Sequence, residues 1–169
     1  MSYTIETANI ADAARMATLH YLSHTTSFAA FATPEFVATR KIENYVVQWA
    51  DFLSAQQPGA RGWVARIGAD VVGMVRIQPM PERGLAQLAA MHVHPDYQGQ
   101  GIGRALMTTA EAFIKASGYR HCILGVVEAN PRARRLYEGM GWKSIERHPK
   151  GVEGVPYCVY EKLFGDAVA

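Results

Sequence analysis

Cysteines and unbalanced charge are both scarce in this sequence of 169 residues. Only Cys122 and Cys158 occur, so a framework of disulfides is excluded and a cysteine-based zinc site is nearly so. Seventeen Lys and Arg residues stand against fifteen Asp and Glu residues, which gives a formal net charge of +2. A charge this small does not predict a nucleic-acid partner.

Long apolar runs are missing as well. The longest are far shorter than the ~20 residues that a membrane-spanning helix needs. The first six residues, MSYTIE, have neither the basic start nor the apolar run of a signal peptide. We therefore expect no membrane partner and a location in the reducing cytoplasm.

The composition is that of an ordinary globular protein. Hydrophobic residues make up 49% and charged residues 19% of the chain, which excludes a disordered or low-complexity sequence. A chain of this length corresponds to one domain and should bury roughly two-thirds of its unfolded surface. We expect a single domain over residues 1–169.

Hydrophobic periodicity predicts a mixture of strands and helices. The predicted strands cover residues 3–7, 63–67, 71–77, 87–93, 121–127, 142–147 and 155–163. Predicted helices begin at Asn9 or Asp12, at Thr33–Pro34, near Gly103 and at Asn130–Pro131. The segment 23–32 is predicted to be a loop, and 78–84 a second one. One apolar stripe predicts that the helix from Thr33 continues almost to Pro58; the stripe consists of Ile42, Val46, Trp49, Ala50 and Leu53. Gly73 inside a strand predicts a bulge.

A glycine-rich run, QGQGIGR at residues 98–104, lies between a predicted strand and a predicted helix. Glycines let the backbone approach a ligand closely, and the helix that follows offers free N–H groups at the positive end of its dipole. The run therefore predicts a binding site for a pyrophosphate.

Two common nucleotide sites do not fit this run. The dinucleotide fingerprint G-x-G-x-x-G, counted from Gly99, needs a third glycine where Arg104 stands, and the carboxylate expected ~20 residues later is missing. The phosphate loop of NTPases needs Gly-Lys-Ser/Thr, which is absent.

A third reading fits better. Residues 93–106, VHPDYQGQGIGRAL, closely resemble motif A of the GNAT superfamily of acyl-CoA-dependent N-acetyltransferases, whose loop reads Q/R-x-x-G-x-G/A. Residues 130–142, NPRARRLYEGMGW, resemble motif B, N-x-x-A-x-x-x-Y-E-x-x-G-F. The motifs occur in the order and at about the spacing of the family. The resemblance extends from about Gly62 to Leu163, and the N-terminal third, where the family varies its acceptor site, matches only in its helix pattern.

The resemblance implies an α/β fold: a single GNAT-like domain with a strongly twisted mixed sheet of about six or seven strands flanked by helices. Two parallel strands splay apart, and acetyl-CoA lies in the V between them. Its pantetheine arm is expected to pair with the strand edge at Met91, His92 and Val93. The loop residues implied to bind the pyrophosphate are Gln98, Gly99, Gln100, Gly101, Ile102, Gly103 and Arg104. Asn130, Ala133 and Tyr137 complete the implied CoA-binding set.

The resemblance also implies catalytic roles. A main-chain N–H of Met91 or Val93 would stabilise the oxyanion. Tyr137 stands at the position of the family's general acid. A phenol of pKa near ~10 can donate a proton to a departing thiolate whose pKa is near ~8.5.

The general base is harder to assign. A lysine-like amine is roughly 99.9% protonated at neutral pH, so its deprotonation costs about 4 kcal/mol. Many relatives have a glutamate early on the motif A strand, where this sequence has Gln87. Glu128 is the expected substitute, with His20, His24 or a chain of waters as alternatives.

A histidine pair and an arginine group are not expected to carry the chemistry of the site. His92 and His94 share a strand face, but no cysteine or carboxylate stands at ligand spacing, so we expect no metal site. Three arginines near Asn130 are expected to form a solvated helix face, one of them reaching the CoA 3′-phosphate; they are Arg132, Arg134 and Arg135.

The leading functional hypothesis is an N-acetyltransferase that moves an acetyl group from acetyl-CoA to a primary amine of a small molecule or peptide, by direct attack in a ternary complex. A homodimer is expected from the family. The acceptor site would be built by residues 23–32, the Thr33 helix and residues 78–84. Four aromatic residues could line it, though core packing suits the tryptophans better; they are Phe28, Phe31, Trp49 and Trp63. One alternative is a non-catalytic acyl-CoA sensor on the same fold, which Gln87 favours and Tyr137 opposes. A pyridine-nucleotide enzyme is the weaker alternative.

Overall fold

The computed structural model of the protein describes residues 2–151 and 154–165. The strands are β1 (Thr4–Thr7), β2 (Arg61–Ile67), β3 (Asp70–Met80), β4 (Leu85–Val93), β5 (His121–Val127), β6 (Lys143–His148) and β7 (Tyr157–Leu163). The helices are α1 (Ala13–Thr25), α2 (Pro34–Ala38), α3 (Ile42–Ala55), α4 (Ile102–Ala116) and α5 (Pro131–Glu138). The predicted hairpin loop before β7 lies partly outside the described residues.

The seven strands form one mixed sheet in the order β1-β2-β3-β4-β5-β7-β6. All neighbouring strands are antiparallel except β4 and β5, which are parallel. That parallel pair is joined by only two residue pairs, Ala86 with Cys122 and Gln87 with Ile123. Beyond these pairs the strands diverge, and the gap between them is the predicted V.

Helices cover both faces of the sheet. On one face α4 packs over the central strands through Ile102, Leu106 and Ile114, all fully buried. Gly73 of β3 allows this approach, because a Cβ there would lie 2.9 Å from Ile102 Cγ2. On the other face α1 and α3 bury a second cluster around Trp49. The expected bulge is present beside Gly73, where the register of β2 and β3 shifts.

Side-chain caps fix where the helices begin, as the sequence predicts. The Asn9 side chain accepts from the N–H of Ala11 and, with Asp12, forms a capping box for the turn that leads into α1. Thr33 accepts from the N–H of Phe36 at the start of α2. Asn130 accepts from the N–H of Ala133 at the start of α5.

The N-terminal third differs from its prediction at three places. Helix α1 continues to Thr25, so it takes three residues of the predicted loop 23–32. The single helix expected after Thr33 is two helices, separated at residues 39–41. On α3 the predicted stripe is wrong at Val46, which is exposed, whereas Trp49 is buried as predicted and Tyr45 beside it is buried too. Strand β3 also extends to Met80, into the second predicted loop.

Two negative findings concern the described part of the chain. None of its helices has the length and apolar character that crossing a bilayer requires. Cys122 and Cys158 are both buried and free.

Candidate active site

The gap between β4 and β5 opens into a cavity of about 1300 Å³. Its walls come from β4, β5, the glycine loop and α5, and one end reaches α1 and the segment after it. We call the end at the loop the cofactor end and the end at α1 the acceptor end. Predicted site residues that line the cavity are Met91, His92, Val93, Gln98, Gly99, Gly101, Gly103, Arg104, Asn130, Ala133 and Tyr137.

The glycine loop adopts the backbone that a phosphate cradle needs. Gly99 and Gly101 have φ angles of +81° and +83°, in the left-handed region that only glycine adopts without strain. Gly101 is the N-cap of α4, and no side chain of a described residue accepts from the first N–H groups of this helix. The side chain of Gln98 instead donates to the carbonyl oxygen of Val93, which ties the loop to β4.

Two predicted loop residues do not line the cavity. Ile102 is buried in the core beneath α4, and the side chain of Gln100 donates to the carbonyl oxygen of Asp96. A contact of either residue with a ligand would therefore have to come from its main chain.

The cofactor end carries positive charge. Arg104 lines it from α4, and two arginines of α5, Arg132 and Arg135, line it from the opposite side. Arg132 also donates to the side-chain oxygen of Gln98. Arg134, expected with them on a solvated face, donates to the hydroxyl of Tyr160. Among the described residues no aspartate or glutamate lines the cavity, so its charge complements a polyanion.

Strand β4 presents main-chain groups to the gap. The N–H of His94 donates to the carbonyl oxygen of Val72 of β3. Hydrogen-bonded positions alternate along an antiparallel pair, so the main-chain groups of the preceding residue, Val93, face away from β3. The register of β3 and β4 shifts, and Ala90, with a φ of +50°, and Met91 have no cross-strand partner. A bulge of this kind redirects main-chain groups. The predicted oxyanion donors, Met91 and Val93, thus both lie at the open edge.

Tyr137 extends from α5 into the cavity. Its side chain is almost fully buried, and burial raises the pKa of its hydroxyl to about 12. None of the described residues forms a hydrogen bond with this hydroxyl. The phenol is therefore protonated at neutral pH and free to donate into the cavity.

Glu128 lies elsewhere. Its carboxylate receives two hydrogen bonds from Arg147, at 2.7 and 2.9 Å, and these lower its pKa. The side chain does not line the cavity. The structure therefore does not bring the predicted base to Tyr137, because a competing arginine on β6 holds it at the surface.

Three histidines meet at the acceptor end. His20 and His24 stand one turn apart on α1, and His92 faces them from β4. Their ring centroids are 4.4 to 5.4 Å apart. Burial lowers the pKa of His24 to about 4, assisted by Arg40, and that of His92 to about 3, assisted by His24. The pKa of His20 is lowered further, by burial and then by the other two histidines.

Hydrogen bonds fix part of this histidine cluster. The indole N–H of Trp49 donates to Nδ1 of His20 over 3.2 Å. Because an indole only donates, a neutral His20 carries its proton on Nε2. Nδ1 of His24 lies 2.7 Å from the hydroxyl of Tyr45. His92 is left as the histidine whose ring faces the cavity without such a bond to a described residue.

A metal ion fits this histidine cluster poorly. The three candidate ligand atoms lie within 4.8 Å of one another. A metal-bound imidazole donates its other N–H outward, whereas His20 accepts there from Trp49. The bond from Trp49 would have to break before His20 could offer a lone pair to a metal.

Sequence reasoning missed Arg76 at the acceptor end. Its guanidinium carbon lies 5.3 Å from the centroid of the Trp49 ring and 5.0 Å from that of the Phe52 ring. It is the one charged side chain in the apolar run 71–77, and this signal was available in the sequence. Phe28 and Phe31 line the cavity as expected, while Trp49 and Trp63 are buried in the core.

Comparisons with known proteins agree with this geometry. The model of the Acetyltransferase (GNAT) family matches residues 25–142. N-acetylaspartate synthetase of Xenopus tropicalis is 33% identical over 112 residues, which are 64% of this chain and 41% of that protein. N-acetyltransferase 8B of Mus musculus is 35% identical over 98 residues, 56% of this chain and 42% of that protein. The chain thus spans less than half the length of these two curated relatives.

Solved structures share the fold over nearly the whole chain. PaiA N-acetyltransferase from Thermoplasma acidophilum, solved with coenzyme A, superposes with a TM-score of 0.81 at 20% identity and covers 97% of this chain and 100% of its own. The yncA protein of Salmonella typhimurium, solved with acetyl-CoA, gives a TM-score of 0.77 at 20% identity and covers 100% and 98%.

Proposed function

The chain belongs to the Acetyltransferase (GNAT) family, and from this premise we propose that it transfers the acetyl group of acetyl-CoA to a primary amine in a ternary complex. The observation that carries the proposal is the cavity between β4 and β5, which joins an anion-binding loop, an open strand edge and a buried phenol. Coenzyme A and acetyl-CoA are bound by two proteins of the same fold.

The residues at the cofactor end suit acetyl-CoA. The free N–H groups at the start of α4 and the nearby arginines would bind its pyrophosphate. A Cβ on Gly103 would lie 3.2 Å from Met91 Cε and 3.3 Å from Leu136 Cδ2, so a larger residue there would crowd the mouth of the V. The open edge of β4 at Met91 and Val93 would pair with the amide groups of the pantetheine arm.

Two groups would stabilise the reaction's changing charges. The main-chain N–H of Met91, at the β4 bulge, would donate to the thioester oxygen as it becomes negative. The hydroxyl of Tyr137 would donate its proton to the sulfur as the carbon–sulfur bond breaks. Because burial raises the pKa of Tyr137 to about 12, the phenol stays protonated until that step.

The amine must lose its proton to react. A cavity that has several cations and no carboxylate among its described lining residues disfavours an ammonium ion and so favours the neutral amine. Once the amine attacks, its remaining N–H becomes acidic, and His92 is placed to accept that proton. A pKa near 3 makes His92 a weak base for a free ammonium ion, so binding in the neutral form has to come first.

The acceptor is a small molecule or the exposed end of a peptide. The acceptor end is lined by polar and aromatic side chains from α1 and the segment after it, among them Ser27 and Phe28. The name of one relative, N-acetylaspartate synthetase, refers to an acetylated amino acid.

Two measurements test the proposed function. Acetyl-CoA and CoA, each at about 100 times its Kd, should raise the melting temperature by roughly 5–10 °C, and NAD should not. Acetyl-CoA with a panel of amines should then release CoA, detected as free thiol. A melting shift without CoA release from any amine would favour an acyl-CoA sensor, and no shift with either CoA form would contradict the proposal.

A further inference from the structure

Arg76 is a cation that pairs with no anionic side chain in the part of the chain that the structure describes. It lines the acceptor end of the cavity from β3. Its Nε is buried without a hydrogen bond, and no described residue forms a hydrogen bond or an ion pair with its terminal nitrogens. Burial lowers the pKa of Arg76, although a guanidinium remains charged at neutral pH. A half-buried cation of this kind costs stability unless something satisfies it.

Aromatic rings hold the guanidinium in place. Trp49 and Phe52 of α3 lie 5.3 and 5.0 Å from its central carbon, within the range of a cation–π contact. Rings stabilise the charge of a guanidinium but leave its N–H groups without acceptors. Arg76 is thus preorganised, and its terminal N–H groups remain available to a ligand.

The position of Arg76 separates it from the phosphates of acetyl-CoA. Arg76 pairs with Ala89 across β3 and β4, before the bulge at Ala90. The glycine loop begins after the end of β4 at Val93, and three arginines, one from α4 and two from α5, line the cavity there. Arg76 therefore lies on the acceptor side of the reacting thioester.

The charges around Arg76 also restrict the acceptor. Lys150 adds a second cation to the cavity wall, and among the described lining residues no carboxylate offsets either one. A plain alkylamine or a polyamine would bring only more positive charge to this end. An amine that also carries a carboxylate would place its negative group where the cation already stands.

From these contacts we infer that Arg76 binds a carboxylate of the acceptor, and that the acceptor is an amino acid or an amino-acid derivative with a free carboxylate. This inference rests on the proposed acetyl transfer and names the substrate class of the same site. A guanidinium binds a carboxylate through two parallel hydrogen bonds, which would also orient the neighbouring amine.

Matched acceptors test the inference. Each set contains an L-amino acid, its primary amide and the amine left when the carboxylate is removed; the sets are those of phenylalanine, leucine and lysine. The acids should show a kcat/KM at least ten times that of the amide and of the amine. The Arg76→Met variant should raise the KM of the acids at least tenfold and leave the KM of acetyl-CoA within twofold.

Two further variants separate recognition from folding. Arg76→Lys keeps the charge but not the paired donors, so it should fall between wild type and Arg76→Met, and it replaces that variant should Arg76→Met fail to fold. Arg61→Met removes another arginine that lies over a ring, 5.1 Å from the Phe113 centroid and outside the cavity, and it should leave all acceptors unchanged.

The outcomes are distinguishable. Equal or better use of the amides or amines by wild type, or an equal loss for all three acceptors in Arg76→Met, would overturn the inference. Should no set react, calorimetry with CoA present measures the binding of acids against amides, and equal binding overturns it too. A protein with no melting shift from acetyl-CoA and no CoA release contradicts the proposed function, and the inference with it.

Discussion

The two ends of the cavity are built in different ways. The cofactor end consists mainly of main chain: left-handed glycines, the free N–H groups of α4 and the open edge of β4. The acceptor end consists of side chains that come from α1, β3, β4 and the segments after α1 and β6. The main-chain groups of the first end come from one continuous stretch, the end of β4 through the start of α4, whereas the second end uses residues as far apart as His20 and Lys150.

This difference matches the two functions proposed for the cavity, binding the acetyl donor and selecting the acceptor. Main-chain groups bind whatever has the right shape and charge, so they suit a donor that stays the same. Side chains can be exchanged without disturbing the fold, so they suit an acceptor whose identity must be selected. Tyr137 lies between the two ends, and substitutions on either side of it should have separate effects.

The largest effect is expected where the two ends meet. Tyr137→Phe removes the proton donor and should lower kcat by about 100-fold or more. The KM of acetyl-CoA should change less than twofold, because the ring remains. Steady-state kinetics with a reactive amine measure both values. Tyr157→Phe, which removes another hydroxyl at the cavity wall, is the control, and an equal loss in both variants would refute a special role for Tyr137.

The next effect concerns the acceptor end and depends on pH. Below pH 6.5 the unfolded chain protonates position 92, while the folded chain resists protonation until about pH 3. The stability that this histidine contributes is therefore present above pH 6.5 and is lost as the pH falls through that window. Between pH 7 and pH 5 the free energy of unfolding of wild type should fall about 2 kcal/mol more than that of His92→Asn.

Urea unfolding at several pH values measures this difference. His148→Asn changes a histidine of β6 outside the cluster and should leave the acid sensitivity of His92 in place. An identical pH dependence in wild type and His92→Asn would show that the folded protein does not suppress protonation at this position.

A smaller effect is expected on acetyl-CoA binding when one of two left-handed glycines is replaced, because only one of them lies at the cofactor end. Gly101→Ala and Gly118→Ala each place a side chain at a left-handed φ, +83° and +78°, and each should cost about 1 kcal/mol of stability. Only Gly101 lines the cavity, so only Gly101→Ala should weaken acetyl-CoA binding, by about tenfold, or about 1.4 kcal/mol. Calorimetric titration of both variants tests this, and equal Kd values would argue against the loop as the binding element.

The smallest effect is expected outside both ends. Glu128→Gln should leave kcat/KM within twofold, because its carboxylate is held by Arg147 away from the cavity. Arg147→Gln removes the other partner of this ion pair and should also leave kcat/KM within twofold. A tenfold loss of kcat confined to Glu128→Gln would instead restore this residue as the general base.

The cofactor end could be predicted from the sequence because its signals are local. The glycines after β4, the helix start at Gly101 and the cap at Asn130 each act over only a few neighbouring residues. Seven strands, the parallel pair and the V follow from the same signals and the resemblance that they support.

The acceptor end and the position of Glu128 could not be predicted in this way. Arg147 reaches Glu128 across 19 residues, and Trp49 reaches His20 across 29. Neither pair leaves a pattern in the sequence. Helix α3 was predicted from its apolar stripe, yet it buries Tyr45 because the hydroxyl has a partner in His24. Tertiary hydrogen bonds therefore decided which side chains face the cavity.

The splayed strands also determine which molecules can compete for the edge of β4. A free edge on the outside of a sheet invites pairing with other chains and is a common route to aggregation. Here the open edge lies inside the sheet, and the facing wall includes Leu124 and Val126 of β5. At the apex β4 and β5 are directly hydrogen-bonded, so another strand between them would need about twice the ladder spacing of ~4.8 Å. A thin, unbranched chain of amides needs less width than a strand with its side chains. The divergence of β4 and β5 thus creates a binding site and at the same time disfavours pairing of another polypeptide chain with the open edge of β4.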